Sequence, residues 1–192
     1  MAKNLVIMES GAKCKTVSKY LGKDFEVVAS VGHCVDLPQK KIGVDLNNDF
    51  NPTWDTIPGK GNVLKSIVSK AKKAKTVYLM SDPDREGEAI SWHIANQLPK
   101  SVEILRVATN DLSKEKILEA FDNPRDIDLD MVASYETRRI LDRLVGFKCS
   151  YPVKRATGGP SVGRVQSASL RILAERELEI KNFKPEKYWA IE

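Results

Sequence analysis

The sequence has few cysteines and no long apolar run. No stretch reaches the roughly 18 consecutive apolar residues of a transmembrane helix, which excludes a membrane-spanning protein. Glu9 follows only four apolar residues at the start of the chain, so we expect no secretory signal peptide. Cys14, Cys34 and Cys149 lie far apart and form no C-x-x-C pair. Their spacing argues against a zinc site or a disulfide framework and favours a reducing compartment, either the cytoplasm or the nucleus.

Positive charge is concentrated in the last third of the chain. The 192 residues carry a formal net charge of +5, yet residues 1–130 hold 19 basic and 19 acidic side chains. Residues 131–192 hold 12 basic and 7 acidic side chains, and 138–171 has eight bases, six of them arginine, with one acid. Because arginine can bind phosphate through two parallel hydrogen bonds, this segment favours a phosphate-rich partner over a merely solvated surface.

Strands and helices are predicted to alternate over the first 120 residues. Apolar, β-branched runs predict strands over 4–8, 25–31, 76–80 and 102–107. Periodic segments predict helices over 12–21, 62–74 and 113–121, and one that ends near residue 98. This alternation predicts an α/β fold with a Rossmann-like parallel sheet and helices on both faces. The stretch from 34 to 61 has neither pattern and is expected to be irregular.

A mainly helical part is expected next. Helices are predicted over 131–145, ending at Gly146, and over 161–180. The predicted domains are therefore an α/β domain, 1–128, and a partial helical domain, 129–192.

Four carboxylates follow the ends of two predicted strands. Glu9 comes after the first strand, and Asp82, Asp84 and Glu86 come after the strand at 76–80. Ligands of parallel α/β sheets bind outside the carboxyl ends of the strands, where both loops emerge. Clustered carboxylates repel one another unless a cation lies among them, and oxygen ligands without His or Cys suit Mg²⁺. The alternative, simple capping of a helix dipole, is a weaker explanation for so long an acidic string.

Five segments resemble conserved motifs of one enzyme family. Residues 82–93, Asp-Pro-Asp-Arg-Glu-Gly-Glu-Ala-Ile-Ser-Trp-His, resemble the acidic motif of the Toprim domain as found in type IA DNA topoisomerases. Residues 6–13 and 30–38 are similar to that family's early motifs. Residues 138–147 and 161–167, the latter containing Gly-Arg-Val-Gln-Ser, are similar to the start of its DNA-binding domain. The matches run in family order, so the chain is identified as the amino-terminal part of such an enzyme.

The resemblance implies relaxation of supercoiled DNA by transient single-strand cleavage and strand passage, with Mg²⁺ as cofactor. It implies catalytic roles for Glu9, Lys13 and Arg85: proton transfer at the leaving oxygen for Glu9, and contacts to the phosphate for the two cations. The metal ligands that it implies are Glu9, Asp82, Asp84 and Glu86.

The implied partners are single-stranded segments of supercoiled DNA and the remaining domains of the same enzyme. We expect a monomer, associated with the nucleoid if the source is bacterial. Arg139 and Arg143 are four residues apart on one helix face, a spacing that suits contacts to phosphates along one strand of DNA. His33 could approach the DNA or could have only a structural role, and both alternatives stay open. The residues implied in DNA binding are His33, Arg138, Arg139, Arg143, Phe147, Arg164, Gln166, Ser167 and Arg171.

The sequence departs from the family pattern in three ways. Gly11 replaces a usual Pro, and Phe147 replaces a usual Tyr, which removes a hydroxyl contact. None of the five tyrosines has the Thr-Tyr-x-Arg context of the nucleophile, although Tyr135 in Ser-Tyr-Glu-Thr-Arg comes near it. We therefore expect the nucleophile beyond residue 192, and we expect 1–192 alone to bind Mg²⁺ and single-stranded DNA without cleaving.

Two alternatives remain at this level. A Toprim nuclease or primase would use the same acids without a tyrosine, and a non-catalytic protein would only bind DNA. A dinucleotide-binding protein is disfavoured, because residues 9–13 lack the G-x-G-x-x-G turn.

Overall fold

A computed structural model describes residues 4–190. The strands are β1 (Asn4–Met8), β2 (Phe25–Ala29), β3 (Val35–Asp36), β4 (Asp55–Thr56), β5 (Thr76–Ser81) and β6 (Glu103–Ala108). The helices are α1 (Gly11–Leu21), α2 (Gly61–Ala71), α3 (Arg85–Ala95), α4 (Lys114–Asp122), α5 (Leu129–Thr157) and α6 (Arg164–Asn182). None of the helices in this described part of the chain is both long enough and apolar enough to cross a membrane.

The main sheet is parallel, with the strand order β2-β1-β5-β6. From β1 the chain moves outward to β2, and from β5 it moves in the opposite direction to β6. The strand order therefore reverses between β1 and β5, which are direct neighbours: Met8 pairs with Met80. Such a reversal opens a crevice at the carboxyl ends of the two central strands, where α/β proteins bind ligands.

Helices cover both faces of this sheet. Side chains alternate along a strand, so Leu5 and Ile7 of β1 face one way while Val6 and Met8 face the other. The first pair packs in a core with α2 and α3, and the second pair packs with α1 and α4. The predicted α/β fold with a Rossmann-like sheet, followed by a helical part, is confirmed.

The segment between β2 and α2 has more structure than expected. Strands β3 and β4 form a short antiparallel pair, with Val35 opposite Thr56. Val35 of this pair forms a small buried cluster with Cys34 and with Leu64 of α2. Two-residue strands give too short a pattern for sequence periodicity to reveal.

The expected end of the first long helix at Gly146 is wrong. Gly146 lies inside α5, which continues to Thr157 through Pro152. Gly158 follows with a φ of +75°, the left-handed conformation that commonly ends a helix. Gly146 is therefore compatible with the interior of α5, and the helix ends at Gly158, which adopts a positive φ.

The described residues fall into two compact units, one up to Ile140 and one from Leu141 onward. The domain limits 1–128 and 129–192 stay a prediction.

Candidate active site

The carboxyl ends of β1 and β5 form the centre of the site. Glu9 directly follows β1, and Asp82 directly follows β5. Lys13 lies in the first turn of α1, and its Nζ is 3.5 Å from Oδ1 of Asp82. These three side chains line one small cleft together with Ser10 and Thr109. The fold thus places an ammonium group among carboxylates that come from two neighbouring strands.

Asp84 is the residue that starts α3. Its extended backbone precedes the helix, and its Oδ1 accepts a hydrogen bond of 2.7 Å from the backbone N–H of Gly87. A carboxylate at this position satisfies one of the free N–H groups of the first turn. Asp84, Arg85 and Glu86 are all exposed at this helix start. Two of the predicted acids therefore remain open to solvent and to ligands.

Gly87 allows the acidic loop, which comprises residues 82–86, to fold back on α3. A Cβ at this position would lie 2.3 Å from the backbone oxygen of Asp82 and 2.7 Å from Oγ of Ser81. Ser81 also donates a hydrogen bond of 3.0 Å to the backbone oxygen of Gly87. Only a residue without a side chain fits so close to the strand end, so the glycine in the acidic string is a steric requirement.

His33 connects the acidic loop to α5. Its Nε2 lies 3.2 Å from Oε1 of Glu86, and its ring stacks on Tyr135 with centroids 5.4 Å apart and planes 18° apart. Burial, more than the nearby charge of Asp36, raises the pKa of Tyr135 to about 12. A high pKa disfavours the phenolate, so Tyr135 is poorly suited to act as a nucleophile.

The backbone just before His33 is strained. Val31 has a φ of +58°, a left-handed conformation that is costly for a β-branched residue. The strain is held by neighbouring hydrogen bonds: the N–H of Ser30 donates to Met8, and the N–H of Gly32 donates to Glu9 at 2.9 Å. The loop carrying His33 is thereby attached to the backbone of the predicted catalytic glutamate.

The predicted metal ligands suit Mg²⁺ in their chemistry, because all four are carboxylates at a solvent-accessible strand end. In the structure each of three has another partner: Asp82 faces Lys13, Asp84 caps its helix, and Glu86 faces His33. Within residues 4–190, no three His, Cys, Asp or Glu side chains are arranged closely enough to hold an ion. The ligand set therefore stays a prediction, and ion binding would require these side chains to change partners.

The predicted DNA-binding residue Arg139 is held by an acid. Its Nε and Nη2 donate to the two carboxylate oxygens of Asp36 at 2.8 and 2.5 Å. Arg138, beside it on α5, is exposed. Arg139 therefore presents its guanidinium to a carboxylate in a geometry that a phosphate could also accept.

The other predicted DNA-binding residues lie from Leu141 onward. Arg143 lies over the ring of Phe147 at 5.2 Å, Arg164 donates to Asp142 at 2.7 Å, and Arg171 donates to Glu175 at 2.7 Å. Gln166 and Ser167 are exposed near the start of α6. Their side chains are accessible, and their roles stay predictions.

Sequence reasoning missed a buried ion cluster. Glu88, the last acid of the acidic string, is completely buried and contacts Arg106 of β6 and also Arg125. One signal was available in β6, where Arg106 stands within the otherwise apolar run from Ile104 to Ala108. Periodicity alone could not show that the two charges meet.

Comparisons with known proteins show what this chain is similar to. Residues 4–112 match the family model described as Toprim domain, and residues 126–192 match the one described as DNA topoisomerase. The structure is similar to that of full-length topoisomerase I from Thermotoga maritima, with a TM-score of 0.84 and 43% sequence identity. The similarity covers 96% of this chain and 32% of the Thermotoga chain, so this chain spans about a third of that protein's length.

Proposed function

Because this chain belongs to the type IA DNA topoisomerases, we propose that it supplies the metal-dependent acid–base part of an active site that cuts and rejoins one DNA strand. The observation that carries this proposal is the position of Glu9 and Asp82 at the ends of β1 and β5, where the strand order reverses, with Lys13 3.5 Å from Asp82. The complete reaction would relax supercoiled DNA by strand passage. The protein would act as a monomer in the cytoplasm.

Asp82, Asp84 and Glu86, with Glu9 from the neighbouring strand, are the residues that would hold Mg²⁺. When bound, the ion would offset the negative charge of these acids and of a DNA phosphate. The exposure of Asp84 and Glu86 supports this assignment, since both can reach a ligand from solvent.

Glu9 is proposed to move a proton to or from the leaving oxygen of the scissile phosphodiester. Lys13 is proposed to contact the scissile phosphate, and its position in the same cleft as Glu9 supports this role. The ammonium group of Lys13 lies 3.5 Å from Oδ1 of Asp82. Arg85, exposed at the start of α3, is proposed to contact a neighbouring phosphate.

Single-stranded DNA is the proposed partner of the basic side chains. Arginine is the side chain best suited to phosphate, and three of the proposed contacts, Arg138, Arg139 and Arg143, are exposed or partly exposed arginines of α5. The residues proposed for this contact are His33, Arg138, Arg139, Arg143, Phe147, Arg164, Gln166, Ser167 and Arg171.

The attacking tyrosine is proposed to lie outside residues 1–192, in the remaining domains of the enzyme. Tyr135 has the sequence context nearest to a nucleophile, but it is stacked on His33 and its pKa is raised to about 12. We therefore propose that residues 1–192 bind Mg²⁺ and single-stranded DNA but do not cleave.

The test uses the purified 192-residue protein and a single-stranded oligonucleotide labelled at one end. We expect Mg²⁺-dependent binding without any cleaved product, and loss of the Mg²⁺ dependence in Asp82→Asn. Mg²⁺-dependent nicking of a supercoiled plasmid would contradict the proposal. A cleaved strand with no protein attached would then favour the tyrosine-free nuclease.

A further inference from the structure

Glu88 is a fully buried carboxylate with two arginine partners. It lies in α3, one turn after the acidic residues, and its side chain is 0% exposed. Its Oε1 accepts a hydrogen bond of 2.9 Å from Nε of Arg106, which is also fully buried. The same oxygen accepts a hydrogen bond of 2.5 Å from Nη2 of Arg125, which is 40% exposed. Two guanidinium groups thus share one carboxylate, and the cluster as a whole keeps a positive charge.

Arg106 also donates to the backbone that leads into the acidic loop. Its Nη1 donates to the carbonyl oxygens of Leu79 and Ser81, each at 3.2 Å, and its Nη2 donates to that of Asp82 at 2.9 Å. The planar guanidinium fixes these acceptors relative to one another, because its five N–H groups have a rigid geometry. The backbone position of Asp82 is therefore set partly by a side chain from the next strand.

The other side of Glu88 reaches the start of α5. Its Oε2 accepts a hydrogen bond of 3.1 Å from the backbone N–H of Asp128. Asp128 in turn caps α5, because its Oδ1 accepts from the N–H groups of Asp130 and Met131, both at 3.0 Å. Arg106 and Arg125 also pair through their backbones, at 2.8 and 3.0 Å. The Glu88 carboxylate is therefore hydrogen-bonded both to Arg106, which holds the backbone of the acidic loop, and to the backbone of Asp128, which caps α5.

A buried ion cluster of this kind contributes little net stability compared with apolar side chains of the same volume, because desolvating the charges is costly. What it does provide is a defined geometry between the elements that it joins. The elements here are the loop that carries Asp82 and the helix that carries Tyr135 and Arg139.

We propose that Glu88, Arg106 and Arg125 form a positioning unit that couples cation binding at the acidic loop to DNA binding by Arg138 and Arg139 of α5. A shift of the loop on cation binding would be passed to α5 through the Glu88 carboxylate. The inference rests on the proposed function for the two ligands, and it adds residues that touch neither of them.

Two ligands coupled in this way must raise each other's affinity by the same factor. The probes are Mn²⁺, followed by its electron paramagnetic resonance signal, and a fluorescein-labelled single-stranded oligonucleotide, followed by anisotropy. In the unmodified protein we expect Mn²⁺ to raise the oligonucleotide affinity about tenfold, and the oligonucleotide to raise the Mn²⁺ affinity equally.

Arg125→Gln is the main variant, because Arg125 is partly exposed and its loss leaves the Glu88–Arg106 pair in place. We expect each ligand alone to bind within about twofold of the unmodified protein, while the mutual enhancement falls to about twofold or less. Arg125→Lys keeps a positive charge at this position and should restore part of the enhancement. Arg176→Gln, which breaks an exposed ion pair with Glu179, should change nothing.

The outcomes separate the inference from the proposed function. Unchanged enhancement in Arg125→Gln, with only a lower melting temperature, would show that the cluster is a structural clamp and would overturn the inference. Binding of both ligands without mutual enhancement in the unmodified protein would overturn it as well and leave the proposed function intact. Absence of any Mn²⁺ binding would contradict the proposed function itself and the inference with it. If Arg125→Gln does not fold, Arg125→Lys decides between these outcomes.

Discussion

Arg139 of α5 donates one hydrogen bond to each carboxylate oxygen of Asp36, at 2.8 and 2.5 Å. The two residues are 103 positions apart in the chain. A guanidinium that binds both oxygens of a carboxylate has the geometry that it would use for a phosphate. If Arg139 contacts DNA, the phosphate must therefore compete with Asp36.

Replacing Asp36 by Asn should strengthen DNA binding. The amide keeps the hydrogen bond that Asp36 accepts from the N–H of Leu37 but removes the competing charge. We expect the affinity for a single-stranded oligonucleotide to rise by about three- to tenfold, and the slope of log affinity against log salt to steepen by about 0.7. Asp24→Asn, at the amino end of β2, is the matched control and should leave the slope unchanged. An unchanged slope in Asp36→Asn would exclude Arg139 as a phosphate contact.

Asp82 and Asp84 can be tested separately for metal binding. Asp82→Asn should weaken Mn²⁺ binding by about tenfold or more, because the ion loses one of its charged ligands. Asn caps helices as well as Asp does, so Asp84→Asn should weaken Mn²⁺ binding at an unchanged melting temperature. Asp84→Ala should in addition cost about 1 kcal/mol of stability. Titration with Mn²⁺ and thermal melts distinguish these cases, and full Mn²⁺ affinity in both Asn variants would remove the two residues from the ligand set.

Gly87→Ala should disrupt the acidic loop. The added Cβ would lie 2.3 Å from the backbone oxygen of Asp82, so the loop must move away from α3. We expect a loss of about 2–3 kcal/mol of stability together with weaker Mn²⁺ binding. Gly61→Ala, at the first residue of α2, meets no atom within 4 Å and serves as the control for a glycine at a helix start. Urea denaturation measures both variants; equal effects would show that the close approach at Gly87 is unimportant.

His93 should make the protein less stable in mild acid. Its ring is buried against Trp54, with centroids 4.6 Å apart, and burial, followed by the charge of His33, lowers its pKa to about 4. The unfolded chain, with an ordinary histidine pKa near 6.5, binds more protons between these two values. The stability contribution is therefore present above about pH 6.5 and is lost as the pH falls toward 4, by about 3 kcal/mol in all.

The measurement is the free energy of unfolding in urea at pH 7.5 and at pH 4.5. His93→Gln has no titrating ring, so the loss of stability between the two pH values should be smaller in this variant than in the unmodified protein. The comparison cancels the titration of the carboxylates that both proteins share. An identical loss in both would mean that His93 is not held neutral.

Much of the fold followed from local patterns. The four main strands are short apolar runs, and their alternation with periodic helices led to the α/β sheet, which is confirmed. The membership of the topoisomerase family, inferred from five motifs in order, is also confirmed. The end of α5 was mispredicted because Gly146 carries no information about its own φ; only the packed helix shows that it stays helical.

The sequence by itself determined which residues follow β1 and β5, because a strand and the loop after it are set by adjacent residues. It therefore located Glu9 and the acids of residues 82–86. Only the tertiary structure decided that β1 and β5 are neighbours, which brings Lys13 to Asp82. It also decided the partners of Glu88, which are 18 and 37 positions away. Ion pairs between such distant positions depend on strand order and helix placement, and these are set by packing of the whole core rather than by any local pattern.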